Sequence, residues 1–235
     1  ASLRQRLGGW LESRSPSVKT HKLAQMLQTD GSLATVFPLT RQFFAPRQIQ
    51  ALLNPTISLN GYDPYVALLQ NGLPDIARQA RHIISQISYA EISTYMHDVL
   101  LRDTDQMSMA SALEVRVPFL DHRLVEYVMS LPDKQKFQKG QQKPLLVDAF
   151  SDLLPPEVIN VPKQGFIMPF EAWMRGPLRE MCSHHLNALS QLPAFNGEAV
   201  QQLWIDFSKG SRTVSWCRLW LLVALGAWVE RQGIQ

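Results

Sequence analysis

Apolar residues recur at three- and four-residue spacing along most of this chain, which is the period of an amphipathic helix. Leu3, Leu7, Trp10 and Leu11 form one stripe, and Leu23, Met26 and Leu27 a second. Ile76, Ala80, Ile83, Ile84 and Ile87 form a third, and Ile92, Tyr95, Met96, Val99 and Leu100 the cleanest. Leu124, Val125, Val128 and Met129 follow, then Leu145, Leu146, Phe150, Leu153 and Leu154. The last stripes are Leu203, Trp204 and Phe207, then Trp216, Leu219, Trp220, Val223, Ala227 and Trp228. Long alternating strands are missing, so the pattern predicts a mainly α chain, an irregular multi-helix domain.

The punctuation divides the chain consistently with those stripes. Asn54-Pro55, Asp63-Pro64, Leu73-Pro74, Leu131-Pro132, Pro155-Pro156 and Leu192-Pro193 read as helix ends or starts. Asp103 with Gln106 has capping-box spacing and predicts a helix from there to about Glu114. Val117-Pro118 then breaks it, and Asp121 is placed to cap the next helix through its carboxylate. Glu114 and Arg116 accordingly fall at a helix end and on the connector after it. Pro144 reads as a first-turn proline after the polar loop 138–143.

Composition narrows the class. A length of 235 residues allows one large domain or two small ones, and 46% apolar with 18% charged residues argues against disorder. A net charge of +3 without a basic block does not imply nucleic acid. Cys182 and Cys217 have no CxxC spacing and fit a reducing, cytoplasmic compartment. The N-terminal residues lack an apolar h-region, and the run from Trp216 to Val229 contains Arg218. It reads as a buried helix rather than a membrane span. Trp204, Trp216, Trp220 and Trp228 have core spacing. His97, His122, His184 and His185 have no metal-ligand spacing, and the adjacent His184 and His185 are expected to point apart, so no metal site is expected.

Candidate chemistry concentrates in two segments. From Arg102 to His122, Asp103, Asp105, Glu114, Arg116 and Asp121 are interleaved with Met107, Met109, Leu113, Val115, Val117, Phe119 and Leu120. Charges among buried-type side chains are costly unless paired or used. Pro162-Lys163-Gln164-Gly165-Phe166-Ile167-Met168-Pro169 is the second segment. Its glycine permits a tight turn and its prolines stiffen the loop around Lys163, a cation suited to polyphosphate or developing negative charge. Taken alone, Glu114 with Arg116 reads as an ion pair at a helix terminus, Lys163 as an exposed loop lysine, and the aspartates as caps.

Three linked segments change that balance. Met107-Ser-Met-Ala followed by Leu113-Glu-Val-Arg-Val-Pro-Phe-Leu-Asp-His122, then Leu153-Leu-Pro155, then Lys163-Gln-Gly-Phe166 with Pro169 and Trp173, resemble the glutamine-dependent asparagine synthetases. The match covers roughly residues 90–180; residues 1–89 read as a variable helical region and 181–235 as C-terminal helices. Members of this family pair a glutaminase with an adenine nucleotide alpha-hydrolase-like synthetase domain. The synthetase part adenylates aspartate with Mg-ATP, and ammonia displaces AMP.

The resemblance implies that Glu114 organises the adenylate and takes a proton from ammonia, and that Lys163 stabilises charge on the pyrophosphate. It also implies substrate or ATP contacts for Arg116, Asp105, Gln164 and Gly165. No SGGxDS-type loop is present: Gly8-Gly9 is followed by Trp10. The expectation is therefore a helical C-terminal portion lacking the parallel sheet, inactive alone, with no ATP or Mg2+ bound to it. Its implied partners are aspartate and ATP, held with the missing N-terminal half, and ammonia from a glutaminase domain. Neither nucleic acid nor membrane is implied, and an oligomer is compatible. Gln106 and Val161 stand where many members carry basic residues. That departure leaves open a related amidotransferase with another acceptor (β-lactam-forming or polysaccharide-associated), or a non-catalytic helical interaction module of the same descent.

Overall fold

The computed structural model describes residues 3–14, 18–58, 66–67, 69, 83–159, 161–162, 165, 168–211 and 213–234. In chain order the helices begin with α1 (Leu3–Arg14), α2 (Val18–Gln28), α3 (Leu33–Arg41), α4 (Pro46–Leu52) and α5 (Ile83–Glu91). A π-helical segment (Ile92–Leu101) leads into α6 (Arg102–Met109), followed by a 3-10 turn (Pro118–Leu120), α7 (His122–Ser130) and α8 (Asp133–Lys136). Then come α9 (Pro144–Ala149), α10 (Pro156–Ile159), α11 (Phe170–Arg175), α12 (Arg179–Ser190), α13 (Gly197–Ser208) and α14 (Trp216–Gln232). No strand forms among the described residues; extended pairing is limited to isolated bridges, Leu53 with Phe195 and Gln138 with Gln141. The mainly α expectation holds. No helix among the described residues is long and apolar enough to cross a membrane.

The chain divides into two compact units, residues 1–62 with 166–235, and residues 63–165. In the first unit the core is built by α12, α13 and α14. Cys182, Leu186 and Leu189 present one face of α12, and Val200, Trp204 and Phe207 one face of α13. Leu219, Leu222 and Val223 of α14 pack with them, joined by Leu52 and Met174. Each large side chain buried here stabilises by roughly 1.5–3 kcal/mol. Gly226 brings α14 against α12, since a Cβ there would lie 2.4 Å from the His185 carbonyl oxygen. Phe170 stacks on Trp216 at 5.1 Å and also meets Trp173 and Trp220. Trp228, expected in the core, is instead exposed on the far side of α14.

Arg218 is the charge that interrupts the apolar C-terminal run. Only 6% of it is exposed, yet its guanidinium is satisfied across the unit. Nε donates to the Phe43 carbonyl at 2.8 Å and Nη2 to Gln48 Oε1 at 3.2 Å, with the head over the Phe44 ring at 5.5 Å. Burial pulls the guanidinium pKa down from its ordinary value. The N-terminal helices pack differently from their stripe. Leu3, Leu7 and Trp10 are exposed, and α1 meets α2 through buried Gly8, where a Cβ would lie 2.8 Å from the Ala24 carbonyl oxygen.

The second unit is organised by the continuous helical run from α5 through α6. Its middle takes π register, in which hydrogen bonds reach from i to i+5. Thr94 is buried and its hydroxyl donates to the Ala90 carbonyl at 2.6 Å, while Leu100 of the clean stripe is exposed. Asp133 caps α5 from a distant segment, accepting from Ile84 N at 2.9 Å. Lys136 lies beside it, 3.9 Å from the carboxylate, and donates to Ser85.

Arg218→Met keeps the apolar stem but leaves the Phe43 carbonyl without its donor. It is expected to lower stability by about 1–3 kcal/mol, measured by urea unfolding. An unchanged midpoint would mean that the guanidinium bridge contributes nothing net.

Candidate functional site

The motif segment begins inside a helix already under way. Leu101 and Arg102 are helical, so Asp103 and Asp105 lie along a rod rather than at a start, and the expected capping box does not form. The helix ends at Met109 and not near Glu114. Leu113 N donates to the Ser108 carbonyl at 2.9 Å and Ala112 N to the Met109 carbonyl at 3.0 Å, with Ala112 at φ 55. That is a Schellman termination with alanine at the left-handed position usually held by glycine. The sequence therefore carries no glycine signal for the boundary.

The connector that follows holds the motif. Val117 is extended enough to feed Pro118 into the 3-10 turn. Asp121 then caps α7 as expected, its Oδ1 accepting from Arg123 N at 2.9 Å and Leu124 N at 3.4 Å. Between these two fixed ends, Glu114 Oε1 and Arg116 Nε meet at 3.0 Å. Their side chains are 73% and 83% exposed, so this is a solvated pair and not a buried one. The apolar neighbours Leu113, Val115, Val117 and Phe119 are themselves exposed, which removes the burial penalty expected for the interleaved charges.

The other candidate residues are not drawn to that pair. Asp105 is exposed on α6, its carbonyl accepting from Ser108 Oγ at 3.1 Å. Lys163 and Gln164 lie outside the described residues. Gly165 is exposed, its φ is outside the left-handed range, and among the described residues no atom lies within 4 Å of a Cβ placed there. An apolar cavity of about 1150 Å³ opens in the same unit, lined by residues such as Ile84, Ile92, Met96, Phe119, Leu124 and Phe150. Phe119 and Leu120 of the motif reach it; Glu114 and Arg116 do not line it.

Mg2+ takes oxygen donors in near-octahedral array. Among the described residues no such carboxylate set converges, and the grouping of three potential ligands is His184, His185 and Glu230, the wrong chemistry for that ion. The histidines expected to point apart both reach Glu230. His184 Nε2 lies 3.1 Å from Oε1 and His185 Nδ1 2.5 Å from Oε2. Their Cα positions diverge on α12, but imidazoles are long enough for both rings to turn to a carboxylate brought close by the helix contact at Gly226. Sequence spacing carries no trace of this, because Glu230 is on another helix.

Two outcomes test the local geometry. Ala112→Gly should stabilise the chain by about 1 kcal/mol by relieving the left-handed alanine, read from the shift of a denaturation midpoint. Glu114→Gln should change stability by less than about 0.5 kcal/mol, because an exposed ion pair contributes little. A large loss of stability on Glu114→Gln would make the pair a structural clamp.

The family model described as asparagine synthase matches residues 3–230. The chain is 36% identical over 97 residues to the glutamine-hydrolysing asparagine synthetase 1 of Bacillus subtilis, covering 41% of this chain and 15% of that protein. It is 45% identical over 75 residues to the glutamine-hydrolysing asparagine synthetase of Rattus norvegicus, covering 31% and 13%. It is also 31% identical over 109 residues to an amidase named chry2 from Gibberella zeae, covering 43% and 16%. The chain thus spans 13–16% of the length of these relatives. No solved structure matches it. With a family match running through nearly all of its helices, the chain belongs to the asparagine synthase family.

Proposed function

We propose that this chain supplies the Glu114-bearing wall of the synthetase centre in a glutamine-hydrolysing, asparagine synthetase-type ligase. The observation that carries the reading is the exposed Glu114–Arg116 pair, held on a connector fixed at both ends. An ion pair placed there stabilises little, so its chemistry is better spent on a ligand. The exposed apolar side chains around it also suit a face that the remainder of a longer protein covers.

In the proposed reaction an oxygen of the aspartate side-chain carboxylate attacks the α-phosphorus of ATP, and pyrophosphate leaves. Ammonia released from glutamine then adds to the acyl carbon, loses a proton, and AMP departs to give asparagine. Glu114 suits the acceptor of that proton, since a positioned carboxylate accepts hydrogen bonds and acts as a general base. Arg116, now paired with Glu114, offers a rigid fork to a carboxylate or phosphate. Lys163 would offset charge on the leaving pyrophosphate, with Asp105, Gln164 and Gly165 contributing contacts.

The likeness to an amidase favours a second reading that keeps the same activation chemistry, in which the acceptor is not free aspartate. Substrate trials on the full-length protein separate the two.

In the full-length protein, Glu114→Gln should reduce asparagine formation by at least about a hundredfold with an unchanged melting temperature. Lys163→Ala should likewise cost turnover more than stability. The 235-residue chain alone should form no asparagine from aspartate, ATP and ammonia. Full activity of the Glu114→Gln protein would overturn the assignment.

A further inference from the structure

We propose that His184, His185 and Glu230 form a binding site for a first-row transition-metal dication, with Zn2+ as its test ion, pinning α12 to α14. The site stands in the first compact unit and is independent of the synthetase reading. Three donors of suitable type converge there, and their ligand atoms all lie within 4.8 Å of one another. Imidazole with carboxylate is a ligand set that suits Zn2+, whereas Mg2+ prefers oxygen alone.

The geometry is close to what coordination requires. Zinc–ligand bonds of about 2.0–2.2 Å in tetrahedral array place neighbouring donor atoms roughly 3.3 Å apart. The His184 Nε2 to Glu230 Oε1 separation is 3.1 Å and the His185 Nδ1 to Oε2 separation is 2.5 Å. The donor atoms lie within 4.8 Å of one another, so replacing these direct contacts by a central ion requires the carboxylate to swing outward and the two rings to turn with it. Space exists on that side, because the His184 and Glu230 side chains are 67% and 36% exposed while His185, at 22%, anchors the inner edge. The two rings are already turned toward a common point, with centroids 5.0 Å apart.

The convergence is built by the backbone. Gly226 lets α14 approach the His185 carbonyl more closely than any side chain would permit, and Glu230 follows one helical turn later on the same face. Three protein ligands leave at least one position to water on the open side. Binding to the folded chain alone would raise its stability by mass action.

The test uses the full chain, stripped with a chelator and titrated with Zn2+ by calorimetry, with a thermal melt alongside. One equivalent should bind and raise the melting temperature, and excess Mg2+ should not compete. His184→Ala, His185→Gln and Glu230→Gln should each weaken Zn2+ binding by at least about tenfold, the lower range for disturbed metal sites. His184→Ala is the deciding variant, because its side chain is mostly exposed and the His185–Glu230 contact remains. Its apo form should melt like the parent while losing the Zn2+-induced shift. The visible absorption of bound Co2+ should disappear in the same variant. Absence of saturable Zn2+ binding, or unchanged affinity in His184→Ala, would overturn the proposal. The latter result would assign the ion to other groups, such as the free thiols of Cys182 and Cys217.

Discussion

A buried guanidinium hydrogen-bonded to a backbone carbonyl holds together two stretches of chain that are far apart in sequence. Arg218 comes from the last helix and Phe43 from the turn between α3 and α4, so one side chain joins both segments of the discontinuous first unit. No carboxylate serves as its partner among these contacts. The positive charge is carried by the Phe43 carbonyl, the Gln48 amide oxygen and the Phe44 ring. The same cationic neighbourhood reaches Lys22, whose ammonium pKa is lowered first by burial and then by Arg218 and Arg41. Lys22 in turn donates to the Thr40 carbonyl at 3.0 Å. Dipoles, rather than opposite charges, carry the load in this corner.

The sequence was most legible where one face of a helix meets a single core. The stripes at 203–207 and 216–228 identify α13 and α14, and the spacing that places Asp121 before an apolar run identifies a real cap. Pro144 likewise opens α9 as its rigid φ suggests. Legibility failed where the backbone took a state that residue type does not advertise. Ala112 adopts a glycine-like conformation, so α6 ends sooner than residue type alone suggests. Leu100, in the π-helical segment, is exposed although its spacing is helical. Leu3 and Leu7 form a stripe that stays largely exposed, while α1 is seated on α2 through Gly8.

The candidate site shows the same division. Short motifs identified the connector and the pair upon it, since those residues are neighbours in the chain. They did not convey that Glu114 and Arg116 stand in solvent, which depends on how the flanking helices end. Nor did they foresee the histidines meeting Glu230, a contact across 45 residues that exists because two helices touch at a glycine. Local chemistry is written locally; convergence of donors is a property of packing. The asparagine synthase family match covers the connector and the C-terminal helices alike, so the meeting of His184 and His185 with Glu230 is a matter of packing and not of motif.

The discontinuity of the first unit also bears on how the chain reaches its fold. Phe43 and Arg218 are separated by 175 residues, and the intervening stretch includes the whole second unit. Contacts of such separation demand early closure of a long loop, an entropic cost that grows as roughly 1.5RT times the logarithm of loop length. During synthesis the segment bearing α3 and α4 emerges long before its partners in α13 and α14. Leu52, which is buried against the core of α12, α13 and α14, must therefore wait for those helices to be made. High contact order of this sort slows folding and lengthens exposure of sticky surface. The late helices thus set the moment at which the α4 end of the N-terminal segment is sheltered from aggregation.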